Sequence, residues 1–99
     1  MSATARTSIY IGMQDVEEHV ARALIQVYMR QAEIEGYTLY SAEGWWKGEK
    51  ENALVIEVIG DTGDLDYGLT EVAHRLRYNE MLPQESVYIV RELVDLVVV

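Results

Sequence analysis

The sequence predicts an α+β fold with one four-stranded antiparallel sheet and two helices on one of its faces. Three observations predict it. Four segments rich in β-favouring residues occupy positions 7–12, 37–47, 53–59 and 86–99. Two segments with helical apolar spacing lie between the first pair and the last pair, and only a short polar stretch separates the two middle segments. A short link makes antiparallel neighbours, whereas a helix in the link carries the chain back across a sheet face.

Each element has a local cause. Thr7-Ser8-Ile9-Tyr10-Ile11-Gly12 alternates Ile9 and Ile11 against smaller or polar residues, the period of a strand with one buried face. Residues 1–6, short and mostly polar, are expected to form a flexible lead-in. Asp15 stands three residues before Glu18, a helix-start spacing. The helix that follows is expected to bury Val16, Val20, Ala23, Leu24, Val27 and Ile34. Glu17, Arg22, Gln26, Arg30 and Glu33 fall on its wet side, and Gly36 ends it.

Tyr37, Thr38, Leu39, Tyr40, Trp45 and Trp46 mark a second strand over 37–47, kinked or bulged around Ala42-Glu43-Gly44. Residues 48–52 read as a five-residue hairpin connection into a third strand over 53–59. Residues 60–64 stop that strand, and Asp64 or Thr62 is expected to cap a helix with the stripe Leu65, Leu69, Val72, Ala73 and Leu76. Arg75 and Arg77 lie near its carboxyl end, where cations complement the helix dipole. Pro83 falls in the exit loop, and the last strand spans about 86–99. The order βαββαβ with both helices on one face is the split βαβ or ferredoxin-like arrangement.

Bulk composition narrows the function. Ninety-nine residues, 49% of them apolar, are expected to form one domain over 1–99. A chain of this size buries about 60–65% of its unfolded surface, so a partner subunit would add needed stability. The absence of cysteine removes disulfides, thiolate-bound zinc and a cysteine nucleophile, and fits a cytoplasmic location. No run approaches the roughly 18 apolar residues of a membrane span. Seventeen acids against eight bases give a net charge of −9, which repels a phosphate backbone, so no nucleic-acid partner is expected.

The second face of the sheet carries a further expectation. With Leu54, Ile56 and Val58 toward the helices, the opposite face of the third strand presents Ala53, Val55, Glu57 and Ile59, and the fourth strand is apolar on both parities. An exposed face of this kind is expected to be covered by copies of the same chain.

The run Gly44-Trp45-Trp46-Lys47-Gly48-Glu49-Lys50-Glu51-Asn52, continued by Ala53-Leu54-Val55-Ile56, resembles the second-to-third strand hairpin of CutA proteins. There an aromatic pair and Lys-Gly precede a polar turn and an aliphatic strand. The order of elements over residues 7–99 resembles CutA and the PII signalling proteins. Thr7-Ser8-Ile9-Tyr10-Ile11-Gly12 and Gln84-Glu85-Ser86-Val87-Tyr88-Ile89-Val90 resemble a branch of small PII-like proteins. The resemblance implies a homotrimer with its sheets facing inward and, from PII, nucleotide binding at clefts between subunits. The long PII loop between the second and third strands is missing here, so its partner switch is not implied.

The residues that carry chemistry are few. Lys47 and Lys50 at the hairpin, backed by Trp45 and Trp46, make a candidate clamp for a nucleotide or other anion, since indoles stack on bases and an ammonium pairs with phosphate. The same residues suit a subunit interface. Arg91 interrupts an apolar strand and is a second anion candidate; with Arg75 and Arg77 it also has Glu92, Glu71 and Asp95 as local partners. Glu71 with His74, and Asp15 with His19, are isolated helix-face pairs, short of a metal site. Gly60-Asp61-Thr62-Gly63-Asp64 sits where phosphate loops occur, but its aspartates repel phosphate and it reads as a turn and cap. No nucleophile motif is present, so no cofactor and no catalytic residue are expected. The expectation is a non-catalytic homotrimer binding a small anion between subunits. The alternative is an acidic interaction or sequestering protein that engages a macromolecule without a small ligand.

Overall fold

The computed structural model describes residues 4–82, 84 and 86–99, with the backbone alone for Trp46, Thr62, Asp64, Leu65 and Asp66. Its elements are β1 (Thr4–Gly12), α1 (Glu18–Gln31), β2 (Thr38–Trp46), β3 (Glu49–Asp61), α2 (Thr62–Tyr78) and β4 (Tyr88–Leu93). The four strands form one antiparallel sheet in the order β2-β3-β1-β4, so both helical links cross over a strand. This is the βαββαβ, ferredoxin-like arrangement.

Strand alternation fixes which residues face the helices. Ile9 stands opposite Ile56, and Ile11 opposite Leu54. These four, with Val58, pack against Ala21, Ile25 and Met29 of α1 and Leu69, Val72, Ala73 and Leu76 of α2, closed at one end by Leu82. Full burial of each large member contributes about 1.5–3 kcal/mol, which makes this layer the main source of stability.

Several boundaries differ from the sequence expectation. β1 begins at Thr4, so residues 4–6, expected ahead of the first strand, are already paired with β3. Helix α1 starts at Glu18 with Glu17 as a cap that makes no side-chain bond, while Asp15 sits in the preceding turn at φ 59. The buried stripe is Ala21, Ile25 and Met29, whereas Ala23 and Val27 are exposed. Two apolar stripes run along this helix, and only contact with α2 and the sheet chooses between them.

Helix α1 ends at Gln31, five residues before Gly36. Glu33, at φ 60, takes the left-handed position of a Schellman cap, with Glu33 N–H donating to Arg30 O at 3.0 Å and Ile34 N–H to Met29 O at 2.9 Å. Ile34 and Met29 both enter the core, so the cap is held by burial of Ile34 rather than by a glycine.

The β2–β3 ladder runs without a bulge from Thr38 opposite Glu57 to Trp46 opposite Glu49. The connection is therefore two residues, Lys47 at φ 50 and Gly48 at φ 81, in place of the expected five. Positive φ at both central positions is the type I′ turn whose twist matches the flanking strands. Asp61, in place of Thr62 or Asp64, caps α2, its carboxylate accepting from Gly63 N–H at 2.8 Å. The expected stripe member Leu65 has its side chain outside the described residues, as Pro83 is altogether. β4 stops at Leu93, opposite Ala5, and Val94 N–H makes one more bond to Thr4 O. Residues 94–99, expected in the last strand, are not a strand, and Val97 and Val98 are exposed.

Candidate functional site

The hairpin residues stand where β2 and β3 run past the helices. Trp45 is opposite Lys50 in the ladder and is 66% exposed. The Lys50 ammonium lies 3.1 Å from Glu43 Oε1, a surface ion pair between neighbouring strands. Lys47 is exposed at the first position of the turn, and it too has a partner. The side chain of Trp46 falls outside the described residues; its backbone is opposite Glu49.

Arg91 lies elsewhere. It is on β4, opposite Thr7, which is in turn opposite Val58. Lys50 is eight residues from Val58 along β3, roughly 26 Å at strand rise, with two further strand spacings across the sheet. The predicted anion residues therefore fall into two groups within one chain: the hairpin pair and Arg91.

Other sequence candidates are tied to neighbours. The Arg75 guanidinium donates to Glu71 Oε1 at 3.1 Å and Gln31 Oε1 at 3.0 Å, and Arg77 lies over the Tyr78 ring at 4.7 Å. His74 stacks on Tyr78, with ring centroids 6.4 Å apart, and His19 lies 3.3 Å from Glu17. Among the described residues no three His, Asp or Glu side chains converge as metal ligands.

The sheet face away from the helices has a distinct character. One row crosses all four strands as Tyr88, Tyr10, Val55 and Tyr40, in which Val55 is buried and the three tyrosines are exposed. Val90 and Ile59 are exposed on the same face. Partial burial, then the Glu57 carboxylate and Tyr10, hold the Tyr40 phenol above its ordinary range. Arg6 reaches Glu92 Oε1 at 3.3 Å and Glu57 Oε1 at 3.9 Å, while its Nε is out of contact with solvent and without a hydrogen-bond partner.

Two open cavities flank α1. One, of about 540 Å³, is lined by Met13, Val16, Glu18, Ser41, Glu43 and Asn52 among others. Beside it the Ser41 hydroxyl donates to Glu18 Oε1 at 2.9 Å and Arg22 Nη2 donates to the same oxygen at 3.3 Å. Those bonds, Ser41 first, hold the Glu18 carboxyl below the usual range. The other, of about 610 Å³, lies where α1 passes into β2 and is lined by Gln26, Arg30, Glu33, Ile34, Glu35 and Tyr37. Sequence reasoning placed Glu18, Arg22 and Arg30 no more precisely than on or near a wet helix face. Nothing in local spacing links Ser41 to Glu18 or sets Tyr37 beside Arg30.

No family model matches the sequence, and no curated protein matches it. Solved structures do match. CutA from Synechococcus elongatus PCC7942 complexed with Bis-Tris is similar with TM-score 0.65 at 8% identity, over 95% of this chain and 82% of that one. Arabidopsis thaliana PII bound to citrate gives TM-score 0.66 at 12% identity, over 94% of this chain and 78% of that one. The divalent ion tolerance protein CutA1 from Ehrlichia chaffeensis gives TM-score 0.58 at 9% identity, over 98% and 86%. At these identities the likeness is one of fold: the chain shares the βαββαβ fold of these CutA and PII structures.

Proposed function

We propose that this chain assembles as a cytoplasmic homotrimer through the sheet face away from the helices and binds a small anion, a nucleotide or a carboxylate, between subunits. The observation that carries the reading is the uncovered face itself. Tyr88, at 65% exposure, with Tyr10, Tyr40, Val90 and Ile59, forms an aromatic and aliphatic surface on a chain too small to leave it in water without cost. Leu96, Val97 and Val98 at the end of the chain add to the apolar surface available for assembly.

Assembly also supplies what one chain lacks. Lys47 and Lys50 sit at the hairpin and Arg91 at the opposite edge strand, so a site using both groups has to be completed by a neighbour. Trp45, opposite Lys50 in the ladder, is the aromatic wall of that site. The similar PII structure was solved with citrate, an anion of the class the cations would hold. No step of catalysis is assigned.

Native mass spectrometry tests this reading. The expected result is three times the 11.3 kDa chain mass, stabilised by citrate or a nucleotide. A monomer at micromolar concentration would overturn the assembly. A second reading rests on the net charge of −9: an acidic outer surface that engages a macromolecule. It predicts an oligomer indifferent to every small anion, with a salt-sensitive protein partner.

A further inference from the structure

Arg30 is set apart from the other cations. Arg6, Arg22, Lys50 and Arg75 each hold a carboxylate, and Lys47, Arg77 and Arg91 have partners of their own. Arg30 has no side-chain partner among the described residues, in a chain with twice as many acids as bases. It is exposed, so its guanidinium is open to water or to a ligand. It stands in the last turn of α1, but the carbonyls there are already occupied: Tyr28 O by Ala32 N–H, Met29 O by Ile34 N–H and Arg30 O by Glu33 N–H. The guanidinium complements the helix dipole, and its five N–H donors are taken by no described side chain, which leaves them to water or to a ligand.

The same residue lines the open 610 Å³ cavity, in which Ile34 is buried, Tyr37 half-buried and the rest of the lining exposed. Gln26, one helical turn earlier, puts an amide on the same helix face, and Tyr37 supplies a phenol and a ring from the start of the β2 segment. Glu33 and Glu35 line it too, and neither closes an ion pair with Arg30. Glu33 is held there at φ 60, a backbone state that disfavours a side chain and that burial of Ile34 enforces. Charges of both signs thus share one concavity without neutralising each other.

We infer that this cavity binds a free α-amino acid, its carboxylate taken by Arg30 with Gln26 and its ammonium by Glu33 or Glu35, while Ile34 and Tyr37 meet the side chain. A simple anion would gain Arg30 but face two carboxylates; a simple cation would gain the carboxylates but face Arg30. A molecule carrying both charges a few bonds apart satisfies all three. The site is complete in one chain, so it is independent of the inter-subunit cleft proposed above.

The test is a two-dimensional amide NMR titration of the full chain with each protein amino acid in turn, at millimolar concentration. The expected result is saturable shifts at residues 26–37 with at least one of them. For that amino acid, the carboxamide and the N-acetyl derivative should each bind about tenfold more weakly, each having lost one charge-assisted contact. Arg30→Gln should weaken it by a similar factor and Arg30→Lys by less, whereas Lys50→Gln should leave it unchanged. The exposed position of Arg30 leaves the fold intact in these variants, which the unchanged amide spectrum away from 26–37 would verify. Absence of saturable shifts with every amino acid overturns the proposal. So does equal binding of the N-acetyl derivative, which would make this a plain carboxylate site, or loss of binding in Lys50→Gln, which would move it to the hairpin.

Discussion

The side-chain amide of Gln84 makes a two-point contact with the main chain of Gly12: Gly12 N–H donates to Oε1 at 3.0 Å, and Nε2 donates to Gly12 O at 2.6 Å. β4 begins at Tyr88, opposite Tyr10, so it stops short of Gly12 and the amide stands in for a missing strand neighbour. On its other side Gly12 is covered by the Glu51 carboxylate, 2.5 Å from where a Cβ would stand. Gln84→Ala should lower unfolding free energy by about 1–2 kcal/mol, the cost of leaving two partly buried backbone groups to compete for water. Gln84→Glu should cost more at neutral pH than at acid pH, since a carboxylate cannot donate to Gly12 O and is repelled by Glu51. Urea unfolding at two pH values measures both; equal midpoints for wild type and Gln84→Ala would mean that the contact is not kept in solution.

Glu33 carries a side chain in a conformation that costs an L-residue about 1–2 kcal/mol, and glycine removes that cost at some expense in chain entropy. Glu33→Gly should therefore stabilise the chain by about 0.5–1 kcal/mol. Glu33→Val should destabilise it, because a β-branched residue is the poorest choice there. Thermal unfolding checks the pair, and a Glu33→Gly variant less stable than wild type would show that the Glu33 side chain contributes more than its backbone strain costs.

The sheet was legible because alternation has a single solution when one face is buried. Ile9 and Ile11 against Leu54 and Ile56 leave no other register without moving every apolar side chain to water. Helix α1 was less legible: Val16, Val20, Leu24 and Val27 satisfy helical spacing as well as Ala21, Ile25 and Met29 do. The choice is made by α2 and the sheet, which no local window contains. The hairpin was misjudged in length because Lys47 at positive φ hides a turn that Asn-Gly would have announced. For the candidate sites, the hairpin cations were visible as residue types, but their separation from Arg91 follows only from strand order. The lack of a partner for Arg30 is a statement about every acid among the described residues, so no motif encodes it.

Tyr88 lies on the edge strand, on the face away from the helices, and contributes to no part of the main core. Tyr88→Glu should leave the fold intact while placing a charge in the proposed subunit interface, where an unpaired buried charge costs several kcal/mol. Sedimentation equilibrium should then show dissociation toward monomer for Tyr88→Glu and assembly for wild type. An equally assembled variant would place the contact surface elsewhere.

Glu18 is depressed chiefly by the Ser41 hydroxyl, then by Arg22. A carboxyl whose folded value lies below its unfolded one contributes stability above the ordinary glutamate range and loses it as pH falls through the folded value. Carboxyl-carbon NMR should place the Glu18 midpoint below that of an unperturbed glutamate, and Ser41→Ala and Arg22→Gln should each move it upward. A midpoint unmoved by either substitution would mean that the contact is not kept in solution. The contribution to stability is small in either case, because both side chains face solvent.

Lys47 joins two roles that one substitution separates. As the first residue of a type I′ turn it holds φ 50, a state that asparagine tolerates better than lysine, and Gly48 already suits the second position. Lys47→Asn should therefore raise stability by about 0.5 kcal/mol while removing the charge. If the ammonium contacts an anion between subunits, affinity for citrate or ATP should fall about tenfold in the same variant, the loss of one charge-assisted bond. Stability and affinity then move in opposite directions, which a merely loosened hairpin cannot produce. Calorimetric titration together with thermal unfolding reads both, and an Asn variant that is more stable and binds as well as wild type would assign Lys47 to the turn alone.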